Sequence, residues 1–287
     1  MLEKEYRNPI TIGRVSRHES LAVAPIYAKD SFMEEVLMLD KAMKTKGFSI
    51  DGSGTVNSLI IKNNLEDNVF VVGGMTIEGV GQNRYSIYPC LVMPHTRIAL
   101  PVNCAQEGEC FIGGSYGENT TVVMPSIRSG HVSQDDAWSR ILNTTRILRR
   151  MTPTRDYCYA DKNADVSDFL EAVGKPEDGQ VGIVAGIRNG DRTLYYTDFF
   201  GNNTVLREIH PKLAKSFGIV ARVHEGNAET VNTDDLVSFL RKFETANGSK
   251  KDHVGGGELY ILDRPVAGSV LFYEDAPVQV SMRQDYD

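Results

Sequence analysis

The chain has 287 residues, with 31 Lys and Arg against 38 Asp and Glu for a formal net charge of −7, and 41% of its residues are apolar. That length suits one large domain or two packed lobes with ample core. The acidic balance excludes a general nucleic-acid binder, which needs a basic stripe, and adhesion to anionic lipid.

In chain order, Met1–Arg7 mixes charges of both signs where a signal peptide would place an apolar run. No later run approaches the roughly 20 apolar residues that span a bilayer. The first patterned element is a helix expected over 32–46. Ser31 and Glu34 form a capping box, and Phe32, Val36, Leu39 and Met43 recur at helical spacing. Lys44 and Lys46 suit the negative end of the dipole, and Gly47 a left-handed stop.

From 48 to about 124 the period drops to two. Strands are expected at 56–62, 69–73, 75–78, 84–92 and 97–102, without intervening helices, which implies an antiparallel, sandwich-like sheet. Pro89, Pro94 and Pro101 belong at strand ends, edges or bulges. A helix follows over 134–150, with Ser133 and Asp136 as its cap and Trp138, Ile141, Leu142, Thr145 and Leu148 on one face. These elements make a β-rich lobe over 1–151.

A polar stretch over 152–180, with one short helix near 166–173, opens an α+β lobe over 152–287. Strands near 181–187 and 193–199 flank Asn189-Gly190, a tight-turn signal. Helices are expected at 211–222, opened by Pro211, and at 234–245, capped by Thr233. Strands near 257–262, 269–273 and 277–282 close the chain. The class is α+β, with two lobes packed as one unit.

The stretch Gly73-Gly74-Met75-Thr76-Ile77-Glu78-Gly79-Val80-Gly81-Gln82-Asn83-Arg84 is the most unusual. Its glycines suit either a backbone nest for an anion, with Arg84 as a forked phosphate donor, or a hairpin whose polar residues satisfy one another. It lacks the Gly-Lys-Ser/Thr of a phosphate loop and runs into a strand, not a helix. Farther on, Cys104 suits a nucleophile with His95 or His131 as base, or a small buried apolar side chain. Gln106 and Glu107 suit a polar site or a tied-down turn.

The six histidines show no helical i, i+4 pair and no H-E-x-x-H, so no metal site is expected, unless ligands converge through the fold. Four cysteines without CxxC spacing point to free thiols in a reducing cytoplasm. Gly255-Gly256-Gly257 reads as a flexible turn, and Trp138 as core.

Residues 77–84, Leu91-Val92-Met93-Pro94 and Ile98-Ala99-Leu100-Pro101-Val102-Asn103-Cys104 together resemble an uncharacterised family, the ADP-ribosylglycohydrolase and rhodanese-phosphatase associated domain family. The likeness continues through Ser126-Ile127-Arg128, Gln134, Trp138, Asp198-Phe199-Phe200-Gly201, residues 211–217 and Gly268-Ser269-Val270-Leu271-Phe272-Tyr273, covering roughly 9–282. It implies handling of ADP-ribose and NAD-derived metabolites, without a reaction or a cofactor. Where the family pattern reads Val-Glu-Gln-Gly-Arg, this chain has Ala105-Gln106-Glu107-Gly108-Glu109, so the acid shifts by one place and Glu109 replaces an arginine.

A small-molecule site for such a ligand would set Arg84 and Arg128 on phosphate, Gln82, Asn83 and Gln106 on ribose or base, and Glu78 or Glu107 as general base or metal-bound carboxylate. The alternative is a non-enzymatic module, without a small-molecule site, that meets a protein partner or a second copy of itself.

Overall fold

Both ends of the chain meet in one antiparallel sheet. The computed structural model describes residues 10–28, 35–79, 81–108, 113–117, 119–130 and 132–284. It opens with β1 (Ile10–Ile12), β2 (Ser16–His18), β3 (Leu21–Ala28), β4 (Leu37–Met38) and a one-turn α1 (Leu39–Ala42). β5 (Phe48–Gly52), β6 (Ser58–Asn63), β7 (Val69–Val71), β8 (Thr76–Ile77), β9 (Arg84–Ser86), β10 (Cys90–Val92), β11 (Thr96–Cys104) and β12 (Ser115–Tyr116) follow. Next come α2 (Pro125–Arg128), α3 (Gln134–Ile147), α4 (Tyr157–Asn163) and α5 (Ser167–Val173). The chain closes with β13 (Gln180–Asn189), β14 (Arg192–Phe200), α6 (Asn203–Arg222), α7 (Thr233–Thr245), β15 (Asn247–Lys251), β16 (Glu258–Asp263), β17 (Val266–Tyr273) and β18 (Ala276–Gln284).

The fold is α+β. Its nine-stranded sheet runs β1-β3-β13-β14-β18-β17-β16-β15, with β2 also on β3. A six-stranded sheet runs β12-β5-β6-β11-β9-β8, and a three-stranded one β10-β7-β4. The centre of the large sheet shows why the sequence folds this way. Alternate residues of β13 face opposite sides. Ile183, Ala185 and Ile187 join the core that includes Leu206, Leu213 and Phe217 of α6. Val184 joins the core that holds Leu236, Phe239 and Phe243 of α7. Pro101 lies where β11 exchanges its β6 pairing for β9, a position where a missing N–H is tolerated.

Four expectations are corrected. The helix over 32–46 contracts to α1, because Leu37 and Met38 pair in parallel with Val69 and Phe70, and tertiary pairing overrides helical spacing; Ser31, Phe32 and Glu34 lie outside the described residues. The strand over 84–92 splits into β9 and β10, which join different sheets. The helix over 211–222 begins at Asn203, where the Asn202 side chain accepts from Val205 N, so Pro211 sits inside α6. The buried face of Ile209, Leu213 and Phe217 holds that helix despite the hydrogen bond the proline forfeits. Similarly, α7 is preceded by Asn232, not capped by Thr233.

Candidate functional site

The densest charged cluster forms around α4, a helix set by its own first residues. The Asp156 carboxylate caps it by accepting from Cys158 N at 2.9 Å, and Asp156 N donates to Thr152 Oγ1 at 2.8 Å. Asn83 Nδ2 reaches the same carboxylate at 3.2 and 3.3 Å. At the other end of α4, Lys162 Nζ donates to Glu78 Oε2 at 2.6 Å, and Lys215 Nζ of α6 lies 3.4 Å from Asp161 Oδ2. One turn before Lys215, Lys212 holds Asp40 and Thr120. Lysines and carboxylates therefore alternate along a seam between α4, α6 and the ends of β8 and α1.

Burial grades this seam. Asp161 is 4% exposed and Glu78 8%, whereas the Lys162 side chain is 53% exposed. Desolvation raises the Asp161 pKa above the usual carboxylate value against the opposing pull of Lys215, and Glu78 adds to the rise. Thr121 flanks this carboxyl, while Oδ1 is sealed from solvent without a well-formed hydrogen bond. The hydrogen bond that Lys162 donates to Glu78 raises the Lys162 pKa. Burial first, then Asp156 and Glu78, push the Cys158 thiol well up, so it stays protonated. A buried carboxyl with a raised pKa beside an ion pair that opens to water is an arrangement that can handle a proton.

Behind the seam lies a buried polar network. Arg84, 1% exposed, donates to Gln82 Oε1 at 2.5 Å and touches Cys104 Sγ. Gln82 Nε2 donates to the Gln106 carbonyl. Gln134 brackets the Cys104 backbone, accepting from its N at 2.6 Å and donating to its O at 3.0 Å. Gln106 Nε2 donates to Thr154 Oγ1 at 2.9 Å, and Glu107 pairs with Arg155 at 2.5 Å on the outer side.

Thus Glu78 and Asn83 meet α4 directly, Gln82, Arg84, Cys104 and Gln106 form the support behind it, and Glu107 lies at the rim. Several amides of the glycine-rich stretch are engaged within the fold. Gly73 N donates to Gln279 Oε1, Gly74 N to Ser86 O, Thr76 N to Thr121 O and Glu78 N to Asn119 O. His95 sits at the far end of β11, about 30 Å along the strand from Cys104, and pairs with Glu66. It is no base for that thiol. Glu109 and His131 lie outside the described residues.

Arg128 stands apart. It and Asp198 are fully enclosed, with Nη2 donating to Oδ2 at 2.7 Å and Nε at 3.2 Å. Nη1 donates to the Val123 carbonyl and to Ser216 Oγ at 3.0 Å, and Phe217 stacks against the guanidinium at 5.2 Å. Gly74 is required here: at φ +81° a Cβ would meet Arg128 Cβ at 2.5 Å.

The residues that sequence patterns missed are Asp156, Asp161, Lys162 and Lys215. The capping Asp156 and the basic last turn of Tyr157–Asn163 are helix signals that could have exposed the first three. Ligand-type atoms of His18, Glu19 and Asp168 also lie within 4.8 Å of one another. Arg222 already binds Asp168 at 2.6 Å and approaches Glu19 at 3.5 Å, so a guanidinium holds the place of a cation. Trp138 is only partly buried. Cys90, Cys104 and Cys158 are buried thiols. Among the described residues no helix is long and apolar enough to cross a membrane.

The ARG and rhodanese-phosphatase-superfamily-associated protein domain is matched over residues 9–283, and the chain belongs to that family. No curated protein and no solved structure matches it.

Proposed function

We propose that the α4 seam binds, and processes, a small anionic nucleotide derivative of the ADP-ribose type. The observation that carries this reading is Asp161, a buried carboxyl with a raised pKa, set beside the Glu78–Lys162 pair at the solvent edge. Lys162 and Lys215 take the phosphates by exchanging their present carboxylate partners for the ligand. Asn83, Gln106 and Asp156 offer amide and carboxylate groups to ribose hydroxyls. Asp161 and Glu78 share the acid and base roles. Arg84 and Gln82 position the 82–84 turn from behind, with Cys104 in that support, and Glu107 lies at the rim. Arg128 lies outside this site. The ADP-ribose class follows from the family's association, taking its ARG as ADP-ribosylglycohydrolase.

A thermal-shift panel of ADP-ribose, NAD, AMP and inorganic phosphate tests the proposal. ADP-ribose raises the melting temperature of the wild type, Lys162→Ala loses that shift, and Asp161→Asn retains binding but not turnover. No shift with any of the four at saturation would sink it.

A second reading has its own support. Arg84 and Arg128 are both sealed within the fold, as in a purely structural module, and Ile147, Met151 and Tyr159 are large apolar side chains left exposed on or near α3 and α4. Light scattering separates the two: a stable oligomer that covers these side chains and is indifferent to the panel favours the module.

A further inference from the structure

Residues 137–155 contain five arginines and no acidic residue, in a chain whose formal net charge is −7. Two of the five are engaged by the fold. Arg140 Nη1 donates to Ser126 O at 2.6 Å, and Arg155 pairs with Glu107. The other three, Arg146, Arg149 and Arg150, are exposed. Arg146 and Arg149 make no side-chain hydrogen bond or ion pair among the described residues. Arg149 holds φ +55° just past the end of α3, a left-handed position where glycine is usual. Its N donates to Arg146 O and Arg150 N to Thr145 O, which closes the helix.

The same place gathers exposed apolar surface. Among the described residues four large apolar side chains are exposed, and three of them belong here: Ile147 at 55%, Met151 at 56% and Tyr159 at 45%. Arg150 Nε donates to Asn163 O at 2.8 Å, which brings the end of α3 against the end of α4, and Asn163 Nδ2 donates to Tyr159 O at 2.8 Å. Ile147, Met151 and Tyr159 each lie within four positions of that crossing along the chain. The dipole of α3 accounts for arginines at its C-terminus, but it gives no reason to leave Ile, Met and Tyr in water. Arg, Met and Tyr without acids is the composition of the centre of a protein interface.

We propose that this surface, at the joined ends of α3 and α4, docks an acidic segment of a partner protein. Apolar side chains of the segment cover Ile147, Met151 and Tyr159, and its carboxylates meet Arg146, Arg149 and Arg150. Charge selects this occupant. A second copy meeting through the same patch about a twofold axis would set these arginines against themselves. Ile147 and Met151 are only half exposed, which suits a shaped protein surface better than insertion about 5–10 Å into lipid.

A random dodecapeptide library selected on the immobilised full chain is the probe, and the enriched sequences are remade as fluorescent peptides for anisotropy titration. Enriched peptides are expected to combine several Asp or Glu with one or two Leu, Ile or Phe. Arg146→Gln/Arg149→Gly weakens their binding about tenfold or more. Its melting temperature holds, because both positions are exposed and glycine suits the backbone at 149. Ile147→Ser/Met151→Ser weakens binding as well, and added salt weakens the wild type more than the arginine variant. No enrichment, enrichment of basic or uncharged peptides, or equal binding to Arg146→Gln/Arg149→Gly would overturn the proposal. A wild-type dimer in light scattering that Ile147→Ser/Met151→Ser dissolves would also overturn it, giving the surface to a second copy. Cosedimentation with phosphatidylserine vesicles that the arginine variant loses would overturn it in favour of lipid. The peptide titration decides the proposal whatever the nucleotide panel shows, because no part of it rests on a ligand in the α4 seam.

Discussion

Arg128→Met is the sharpest perturbation of the fold, because it leaves the Asp198 carboxylate uncompensated where neither side chain reaches solvent. Breaking such a pair from one side costs about 3–5 kcal/mol, most of it the penalty of an unpaired buried charge. Unfolding entropy near 2.1 cal/mol/K per residue gives roughly 0.6 kcal/mol/K for 287 residues, so the melting temperature falls by about 5–8 °C. Asp198→Leu alone falls by a similar amount, since the guanidinium then keeps only the Val123 carbonyl and Ser216 Oγ as acceptors. The double variant Arg128→Met/Asp198→Leu removes both charges together and recovers most of the loss. Differential scanning calorimetry of the four proteins measures the cycle. A fall under about 2 °C in the single variant, or a double variant that sums the two losses, refutes the claim that the pair acts as one unit. ADP-ribose affinity in the double variant should match the wild type, because Arg128 lies outside the proposed site.

Other outcomes follow from single positions. His210 is 3% exposed and desolvation lowers its pKa from 6.5 to about 4. Its folded value lies below the unfolded one, so full stability is present above pH 6.5. As the pH falls through 6.5 towards 4, about 3 kcal/mol is lost while the unfolded chain takes up the proton first. Urea midpoints across that range should show the loss, and His210→Phe should flatten it; an unchanged slope contradicts the assignment. Gly74→Ala and Gly54→Ala place the same strain on backbones at φ +81° and +83°, but only Gly74 has Arg128 in the way. Gly74→Ala should therefore be the more destabilising by about 1–3 kcal/mol in denaturant unfolding. Lys162→Ala leaves the buried Glu78 carboxylate without its ammonium partner at a cost of about 1–3 kcal/mol, so thermal melting should fall by roughly 2–5 °C.

How much of this was legible in the sequence varied with the range of the forces involved. α3 and α7 were readable because caps and apolar spacing act within a few residues, as Ser133 accepting from Asp136 N illustrates. β13 and β14 were readable from a local hairpin, although the turn centres on Gly190 and Asp191. β3 was not, because its long edge is paired by β13, some 160 positions later, and its near-sequence partners β1 and β2 are only three residues each. Val36, Leu39 and Met43 carried a true helical spacing, yet the partner of Leu37 and Met38 on β7 decided their structure. The glycine-rich stretch was conspicuous and Glu78 lies in the candidate site, but its partners Asp161, Lys162 and Lys215 come from two helices far along the chain. Arg128 and Asp198, 70 positions apart, could not be paired without the fold.

Hydrogen–deuterium exchange of the wild-type chain with and without saturating ADP-ribose tests the central claim most directly, because it reports place as well as binding. Protection should concentrate at 76–84, 154–163 and the 212–216 turn of α6, and Lys162→Ala should abolish it. Unchanged exchange throughout, or protection confined to segments outside that seam, would contradict the account.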